Sequence, residues 1–196
     1  TDQLADLLLT PSSDADENLE REGIPKGRIF RVGNVMIDTL VRLSPKASPP
    51  PGLELRDQYA LVTLHRPSNV DDKETLAKLM TALAELSQEL QIVFPIHPRT
   101  EQRLCQWGID VSSSNDFQLL KPLGYLQFLA LQRDAAVVIT DSGGIQEETT
   151  YLGVPCLTIR ENTERPITVD VGTNELLGTN VDLLKSRVRA ISGGEP

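Results

Sequence analysis

Short apolar runs alternate with segments of helical periodicity along this chain. The apolar runs predict strands over residues 6–10, 28–32, 59–64, 91–95, 117–120, 136–139 and 155–159. Helical spacing predicts helices over residues 14–22, 35–43, 72–90, 99–107, 125–133 and 181–191, and a further helix that ends at Gly153. Because strands and helices alternate, the sequence predicts an α/β fold with a parallel, doubly wound, Rossmann-like sheet.

The most informative segment of the chain covers residues 135–149. Its apolar part, residues 136–139, shows no polar alternation, which is typical of a strand covered on both faces. The turn Asp-Ser-Gly-Gly at residues 141–144 follows and opens a helix, whose N-terminal N–H groups favour phosphate. Glu148, one turn into this helix, is placed to bind a sugar diol. An ordinary strand–turn–helix corner is the alternative, because Ser-Gly-Gly is a common sequence.

Polar clusters follow several of the predicted strands, and ligands of doubly wound sheets bind at the carboxyl ends of strands. The clusters are His65-Arg66, His-Pro-Arg at residues 97–99, the turn at residues 141–144, and Arg-Glu-Asn-Thr-Glu-Arg-Pro at residues 160–166. We expect them to converge on one edge of the sheet. Within the turn, Asp141 is expected to brace the backbone rather than act as a base.

The side chains in these clusters suit a phosphate ligand. His65 and His97 are the only histidines, and histidine either hydrogen-bonds a phosphate or transfers a proton near neutral pH. A structural histidine at a strand end is the alternative, and zinc is a weaker one because paired cysteines are absent. Four arginines are candidate phosphate contacts, with solvated surface positions as the alternative: Arg66, Arg99, Arg160 and Arg165.

Composition limits the possible partners. The 196 residues are 39% apolar and 24% charged, which is ordinary for a globular protein with a sizeable core. The net charge of −9 argues against a nucleic-acid or anionic-membrane surface. The two cysteines are outside any Cys-x-x-Cys pair, so we expect reduced thiols. We expect a cytoplasmic protein, because the sequence shows no signal peptide and no apolar stretch of bilayer length.

Four motifs carry a resemblance to a known family. The chain resembles the non-hydrolysing UDP-N-acetylglucosamine 2-epimerases in residues 63–71 (Thr-Leu-His-Arg-Pro-Ser-Asn-Val-Asp), 94–98 (Phe-Pro-Ile-His-Pro), 140–148 (Thr-Asp-Ser-Gly-Gly-Ile-Gln-Glu-Glu) and 161–166 (Glu-Asn-Thr-Glu-Arg-Pro). The motifs occur in the family's order over essentially the whole chain. The family is similar in turn to GT-B glycosyltransferases, which have two Rossmann-like domains facing a cleft.

The resemblance implies roles for individual residues in binding UDP. It implies that Ser142, Gly143 and Gly144 hold the pyrophosphate and that Glu148 binds the ribose hydroxyls. Arg165 would contact the nucleotide.

The resemblance also implies a base site and a catalytic residue. Phe128 would pack on the uracil, with the backbone near Leu123 reading its edge. From the sequence pattern alone, Tyr125 or Phe128 could stack on a base, but the pattern favours core packing for either of them. His65 would be the catalytic histidine that steadies the departing UDP, whose negative charge grows during elimination. Arg66 and His97 are implied to be cleft residues.

The resemblance further implies how much of the enzyme is present. Residues 1–196 would be its carboxy-terminal UDP-binding domain, with the amino-terminal domain and a final segment absent, since the chain opens at Thr1 without an initiator Met. The acidic residues for proton transfer at C2 would belong to the missing domain. The intact enzyme is expected to interconvert UDP-GlcNAc and UDP-ManNAc as a homodimer without a metal or redox cofactor, and the fragment alone to be inactive.

Three alternatives stay open at this point. The first is the hydrolysing variant of the same enzyme, which releases ManNAc and UDP. The second is the nucleotide-binding domain of a GT-B glycosyltransferase, against which the run at residues 160–166 argues. The third is a non-catalytic nucleotide-binding module.

Overall fold

The computed structural model describes residues 2–111, 114 and 116–194. Contacts divide the chain into two compact units, Thr1–Leu43 and Ser44–Pro196. The boundary lies where the proline-rich loop of residues 44–52 begins, at a 3₁₀ turn over Ser44–Lys46. The predicted candidate residues all lie in the second unit.

The first unit contains a small parallel sheet with two helices. Strand β1 (Leu8–Thr10) pairs with β2 (Ile29–Arg31). Helix α1 (Ser13–Arg21) lies between them in sequence, and α2 (Val35–Leu43) follows β2. These are the elements predicted from the sequence, with shorter strands. Short 3₁₀ turns over Asp2–Leu4 and Lys26–Arg28 complete the unit.

The second unit is built on a six-stranded parallel sheet, which confirms the predicted fold class. Its strands are β3 (Tyr59–Thr63), β4 (Gln91–Pro95), β5 (Phe117–Leu120), β6 (Val137–Thr140), β7 (Cys156–Thr158) and β8 (Asn174–Leu176). The spatial order is β5-β4-β3-β6-β7-β8. The strand order therefore reverses at the boundary between β3 and β6: β4 and β5 lie on one side of β3, and β6, β7 and β8 lie on the other.

Helices connect these strands. They are α3 (Pro67–Val70), α4 (Lys73–Leu86), α5 (Pro98–Trp107), α6 (Tyr125–Asp134), α7 (Gly143–Leu152), α8 (Ile167–Asp170) and α9 (Val181–Ser192). Within the described ranges, no helix is long and apolar enough to cross a bilayer.

The core lies on both faces of this sheet. Every residue of β4 and β6 is buried, as expected for parallel strands covered by helices. On one face, Leu76 and Leu83 of α4 pack in the same apolar cluster as Phe94 and Ile139. The other face is covered by a smaller cluster that includes Leu131 of α6. This two-sided burial makes the sheet a rigid base for the loops at its carboxyl edge.

Some elements differ from the prediction. The helix predicted over residues 72–90 ends at Leu86, and its N-cap is Asp72, whose side chain accepts from the Thr75 N–H at 2.8 Å. Helices α3 and α8 and strand β8 are absent from the predicted elements. The two helices have only four residues each, and Asn-Glu-Leu of β8 carries no apolar run. Strand β8 forms through pairing with β7, and Thr158 Oγ1 donates to Asn174 Oδ1 at 2.5 Å.

Replacing Gly172, which lies two residues before β8, tests how tightly the chain is packed at the start of this edge strand. A Cβ on Gly172 would lie 2.4 Å from the Thr168 carbonyl oxygen and 2.5 Å from Thr150 Oγ1. We expect Gly172→Ala to lower the free energy of unfolding by about 1–3 kcal/mol, the usual cost of overpacking. Gly124→Ala is the control, since its Cβ would meet no atom within 4 Å. Urea unfolding followed by fluorescence of Trp107, the only tryptophan, measures the stability of both variants. Equal stabilities of the two variants would contradict the tight packing around Gly172.

Candidate functional site

The four polar clusters lie together at the carboxyl edge of the second unit's sheet. Strands β3 and β6 are paired up to Thr63 and Thr140, so the residues that follow the two strands emerge side by side. The cluster after β4 is tied to the same edge because Thr100 Oγ1 donates to the Leu64 carbonyl oxygen at 2.5 Å. The cluster after β7 is joined by Asn69, whose side-chain amide donates to the Ile159 carbonyl oxygen at 2.9 Å.

Asp141 is the centre of these contacts. Its side chain is fully buried, and Oδ2 accepts from the backbone N–H of Arg66 at 2.9 Å and from Asn69 Nδ2 at 3.0 Å. The backbone N–H of His65 donates to the same carboxylate, and His65 Nδ1 lies 2.9 Å from Oδ1. The expected bracing role of Asp141 thus extends beyond its own turn to the loop after β3.

Hydrogen bonds keep this buried carboxyl group ionised. Burial by itself raises the pKa of Asp141, but hydrogen bonds from the His65 side chain, the Arg66 N–H and Asn69 outweigh burial and hold the pKa below its usual range. A carboxylate is therefore fixed beneath the edge at neutral pH.

The two histidines lie next to each other. Their ring centroids are 5.4 Å apart, with the planes tilted by 38°. The His65 side chain is 36% exposed, so it is open on the side away from Asp141. His97 is the exposed N-cap of α5, where its Nδ1 accepts from the Arg99 N–H at 3.2 Å. Both imidazoles are therefore accessible to one ligand.

The turn after β6 presents a helix N-terminus. Helix α7 begins at Gly143, and the first-turn N–H groups of a helix have no acceptor within the helix. The Ser142 side chain makes no capping hydrogen bond, which leaves its hydroxyl for a ligand. Its backbone N–H donates to Thr140 Oγ1 at 3.0 Å, so this N–H already has an acceptor within the turn. A Cβ on Gly144 would meet no atom within 4 Å, so this side is open.

Glu148 lies one turn further along α7 and is only 4% exposed. Burial raises the pKa of its carboxyl group, although a hydrogen bond from Tyr125 partly offsets this effect. The Tyr125 hydroxyl donates to Oε1 at 3.1 Å, and burial beside Glu148 raises the pKa of Tyr125 to about 12, so that the hydroxyl keeps its proton. Tyr125 thus acts as a partner of Glu148, a role that its sequence position alone does not indicate.

Arg66 and Arg160 share one carboxylate. The Arg160 guanidinium binds Glu164 through two hydrogen bonds of 2.7 Å, and its side chain is almost fully buried. Arg66 Nη2 lies 3.5 Å from Glu164 Oε1. Glu164 Oε2 lies 3.8 Å from where a Cβ on Gly143 would be, so this carboxylate reaches the start of α7. Arg160 consequently orders the loop after β7, and Arg66 is more accessible to a ligand.

The other two candidate arginines are also paired. Arg165 Nε lies 3.0 Å from Glu147 Oε1, while its side chain is 44% exposed beside α7. Arg99 binds Asp71, the C-cap of α3, through Nε at 3.1 Å and through Nη2. Arg165 is therefore held beside α7, whereas the Arg99 guanidinium is held at the end of α3.

Phe128 and Leu123 lie near the start of α6. Both are partly buried and pack against the smaller apolar cluster together with Ile145 of α7. Their partial exposure is compatible with one face contacting a flat ring, but the contacts themselves are those of core packing.

Two further residues at this edge were missed in the sequence. Asn69 links the ends of β3, β6 and β7, and Gln146 Oε1 accepts from Thr163 Oγ1 at 2.5 Å, which ties the loop after β7 to α7. Both lie inside the motifs that carried the resemblance, so their position was the available signal. In the described part of the chain, no group of three or more His, Cys, Asp or Glu side chains is arranged to hold a metal ion.

Comparison with known proteins identifies relatives of this fold and site. A family model described as UDP-N-acetylglucosamine 2-epimerase matches residues 1–193. UDP-N-acetylglucosamine 2-epimerase of Methanocaldococcus jannaschii is 40% identical over 195 residues, which cover 94% of this chain and 53% of that protein. UDP-2,3-diacetamido-2,3-dideoxy-D-glucuronate 2-epimerase of Pseudomonas aeruginosa is 36% identical, covering 98% of this chain and 54% of that protein.

A solved structure agrees with the sequence relatives. The crystal structure of the Methanocaldococcus jannaschii UDP-GlcNAc 2-epimerase in complex with UDP-GlcNAc and UDP superposes with a TM-score of 0.86 at 39% identity. The match covers 96% of this chain and 55% of that one. This chain thus spans about half the length of the relatives it matches.

The ion pairs of Glu164 predict an acid-sensitive loop. Hydrogen bonds from Arg160 lower the pKa of Glu164 to about 2 from an ordinary 4.5. Because the folded-state pKa is lowered, this stabilisation is complete above about pH 4.5 and is lost as the pH falls towards 2. At neutral pH we expect Glu164→Gln to lower the free energy of unfolding by about 1 kcal/mol, a value between those of exposed and buried ion pairs.

Unfolding measured from neutral to acid pH tests this dependence. Stability of the Glu164→Gln protein should approach that of the unchanged protein as the pH falls. Glu54→Gln is a control, because the Glu54 carboxylate is exposed and unpaired within the described residues. A constant difference between Glu164→Gln and the unchanged protein down to pH 2 would contradict the assignment.

Proposed function

This chain belongs to the UDP-N-acetylglucosamine 2-epimerase family, and on that premise we propose that it is the UDP-binding half of an enzyme that interconverts UDP-GlcNAc and UDP-ManNAc. The carboxyl edge of the second unit would bind the nucleotide. The other half of the enzyme would close the sugar site from the opposite side.

The observation that carries the proposal is the convergence of complementary groups at α7. An N-terminal turn with an unused Ser142 hydroxyl, a carboxylate at Glu148 and a partly exposed Arg165 lie on one helix or against it. A nucleoside diphosphate presents both an anion and a ribose diol. The helix N-terminus and the arginine suit the anion, and the carboxylate suits the diol.

We assign the remaining groups by their position around this helix. Gly143 and Gly144 would let the diphosphate approach the backbone closely, since an added Cβ at Gly144 would lie in open space. Phe128 and the backbone near Leu123 would contact the uracil. Arg66 and His97 would line the cleft on the side of β3 and β4.

In the proposed reaction, UDP is eliminated to give a 2-acetamidoglucal and is then added back to the other face of the sugar. The C1–O bond breaks while the proton at C2 is removed, and the departing β-phosphate gains negative charge. His65, in reach of a ligand at the same edge, would stabilise that charge. The acid and base groups that act at C2 are assigned to the missing half, and no Asp or Glu of this chain is given that role.

The first unit is consistent with a larger enzyme. It exposes apolar side chains on its strands and on α2, among them Leu9, Phe30, Val32, Val35 and Met36. A patch of this kind marks a surface that another part of a protein covers. We propose that the amino-terminal half covers it.

A cytoplasmic location and assembly as a homodimer belong to the same proposal. Cell fractionation would test the location, and mass measurement of the full-length protein would test the assembly.

A second candidate substrate follows from one relative. The Pseudomonas aeruginosa protein at 36% identity is named for a UDP-2,3-diacetamido-2,3-dideoxy-D-glucuronate, so the nucleotide is shared while the sugar differs. Incubating the full-length enzyme with each UDP-sugar and analysing products by NMR would decide between the two. The same spectra would show free ManNAc and UDP if the enzyme hydrolyses its substrate.

UDP binding by the 196-residue chain is the first test. We expect weak binding that Glu148→Gln lowers roughly tenfold, about 1.4 kcal/mol, because the diol acceptor loses its charge. Ser142→Ala should weaken binding less, and His65→Ala should leave most of it intact. Calorimetry measures each affinity, with Glu54→Gln as a control for loss of a surface charge. If Glu148→Gln leaves the UDP affinity unchanged, the proposed UDP site at α7 is wrong.

The second test concerns turnover. Epimerisation needs positioned groups on both walls of the cleft, and positioning contributes many orders of magnitude to rate. We therefore expect the 196-residue chain to produce no UDP-ManNAc in a coupled assay, and His65→Ala in the full-length enzyme to lower kcat much more than UDP affinity. Measurable epimerase turnover by the chain alone would overturn this division of labour.

A further inference from the structure

His65 is held on one side only. Its Nδ1 lies 2.9 Å from Asp141 Oδ1, while the side chain is 36% exposed and its ring centroid lies 5.4 Å from that of His97. We propose that Asp141 and Asn69 are positioning residues, which fix the proton of neutral His65 on Nδ1 and so leave Nε2 to face the ligand. That the ligand atom is a departing phosphate oxygen rests on the proposed function, whereas the position of the proton does not.

The two oxygens of Asp141 have different partners, and this difference fixes the carboxylate. Oδ2 accepts from the backbone N–H groups of His65 and Arg66 and from Asn69 Nδ2, at 2.9–3.0 Å. Oδ1 has the His65 ring as its closest partner, with a longer contact of 3.2 Å from the His65 N–H. Because an ionised carboxylate has no proton to donate, Nδ1 must be the donor in the contact with Oδ1.

Asn69 removes the remaining freedom of the carboxylate. Its Nδ2 faces two acceptors, Asp141 Oδ2 and the Ile159 carbonyl oxygen, and the residue is 1% exposed. An amide oxygen in that place would meet both acceptors without a proton to share, so the side-chain amide has a single allowed orientation. Asp141 is consequently unable to turn away from His65 without leaving Asn69 unpaired in the interior.

His97 provides an internal contrast. Its Nδ1 accepts the Arg99 N–H, so in the neutral ring the proton must be on Nε2. The two histidines of the chain, 5.4 Å apart, are therefore expected to have opposite tautomers. Nε2 of His65 would accept a hydrogen bond when the ring is neutral and donate one when it is protonated, which is the form that stabilises an oxyanion.

Long-range ¹H–¹⁵N correlation spectra of the 196-residue chain test the tautomers directly. Only two imidazole spin systems occur, and His97→Gln assigns them. At alkaline pH, where histidine side chains are neutral, we expect Nδ1–H for His65 and Nε2–H for His97. A neutral His65 with its proton on Nε2 would overturn the proposal without any need for a variant at Asp141.

The Asp141→Asn variant tests directly whether the Asp141 carboxylate sets the tautomer of His65. The amide oxygen is expected at the Oδ2 position, where several donors converge, so the amide nitrogen faces His65 Nδ1 and donates to it. The tautomer of His65 should then change to Nε2–H while His97 stays the same. Asp71→Asn removes the same charge from a carboxylate bound to Arg99 and Arg103, and should leave both tautomers unchanged. A well-folded Asp141→Asn protein with His65 still protonated on Nδ1 would also refute the proposal.

Turnover separates this inference from the proposed function. In the full-length enzyme, Asp141→Asn should lower kcat at least tenfold with little change in KM, because a neutral amide beside Nδ1 does not stabilise the protonated His65 ring, the form that stabilises the departing oxyanion. If the tautomer changes and UDP-GlcNAc turnover does not, the positioning is correct and the assigned role of His65 is wrong. If UDP-GlcNAc is not a substrate at all, the proposed function fails while the NMR result stands.

Discussion

The buried carboxylate of Asp141 is the interaction on which the arrangement of the carboxyl edge depends. A charge without solvent is stable only when hydrogen bonds replace its hydration, and the backbone N–H groups after β3 together with Asn69 supply them. Displacing either loop would leave that charge uncompensated. The loop after β3 and the turn after β6 are therefore held against each other, and His65 stays beside the start of α7.

The rest of the edge is organised by paired charges. In a chain with a net charge of −9, the overall field does not favour an anionic ligand, so recognition must come from short-range donors. Yet each of the four candidate arginines already has a carboxylate partner: Glu164 for Arg66 and Arg160, Glu147 for Arg165 and Asp71 for Arg99. A diphosphate would compete with these carboxylates for the exposed arginines. Glu164 also reaches the start of α7, where its Oε2 lies 3.8 Å from the position of a Cβ on Gly143. The Ser142 side chain, by contrast, makes no capping hydrogen bond.

Much of the fold could be predicted because burial leaves a direct trace in the sequence. Strands β4 and β6 are continuous apolar runs, since helices cover both faces of the sheet, and both were recognised. Strand β8 left no such trace, because two of its three residues, Asn174 and Glu175, are polar and it forms through backbone pairing with β7. The site residues followed from strand ends and motifs, but their partners did not. Tyr125 was considered for stacking on a base, and its hydroxyl is instead bonded to Glu148.

The sequence by itself determined the fold class, the family and the set of polar groups available to a ligand, because periodicity, strand ends and short motifs are local properties. Only the tertiary structure decided which of those groups are exposed and which are buried. Arg160 and Arg165 look alike in one motif, but Arg160 is buried against Glu164 whereas Arg165 is half exposed beside α7. Asp141 and His65 are 76 residues apart in the chain and 2.9 Å apart in space. Parallel pairing of β3 with β6 brings them together, and such long-range pairing is not encoded in any single segment.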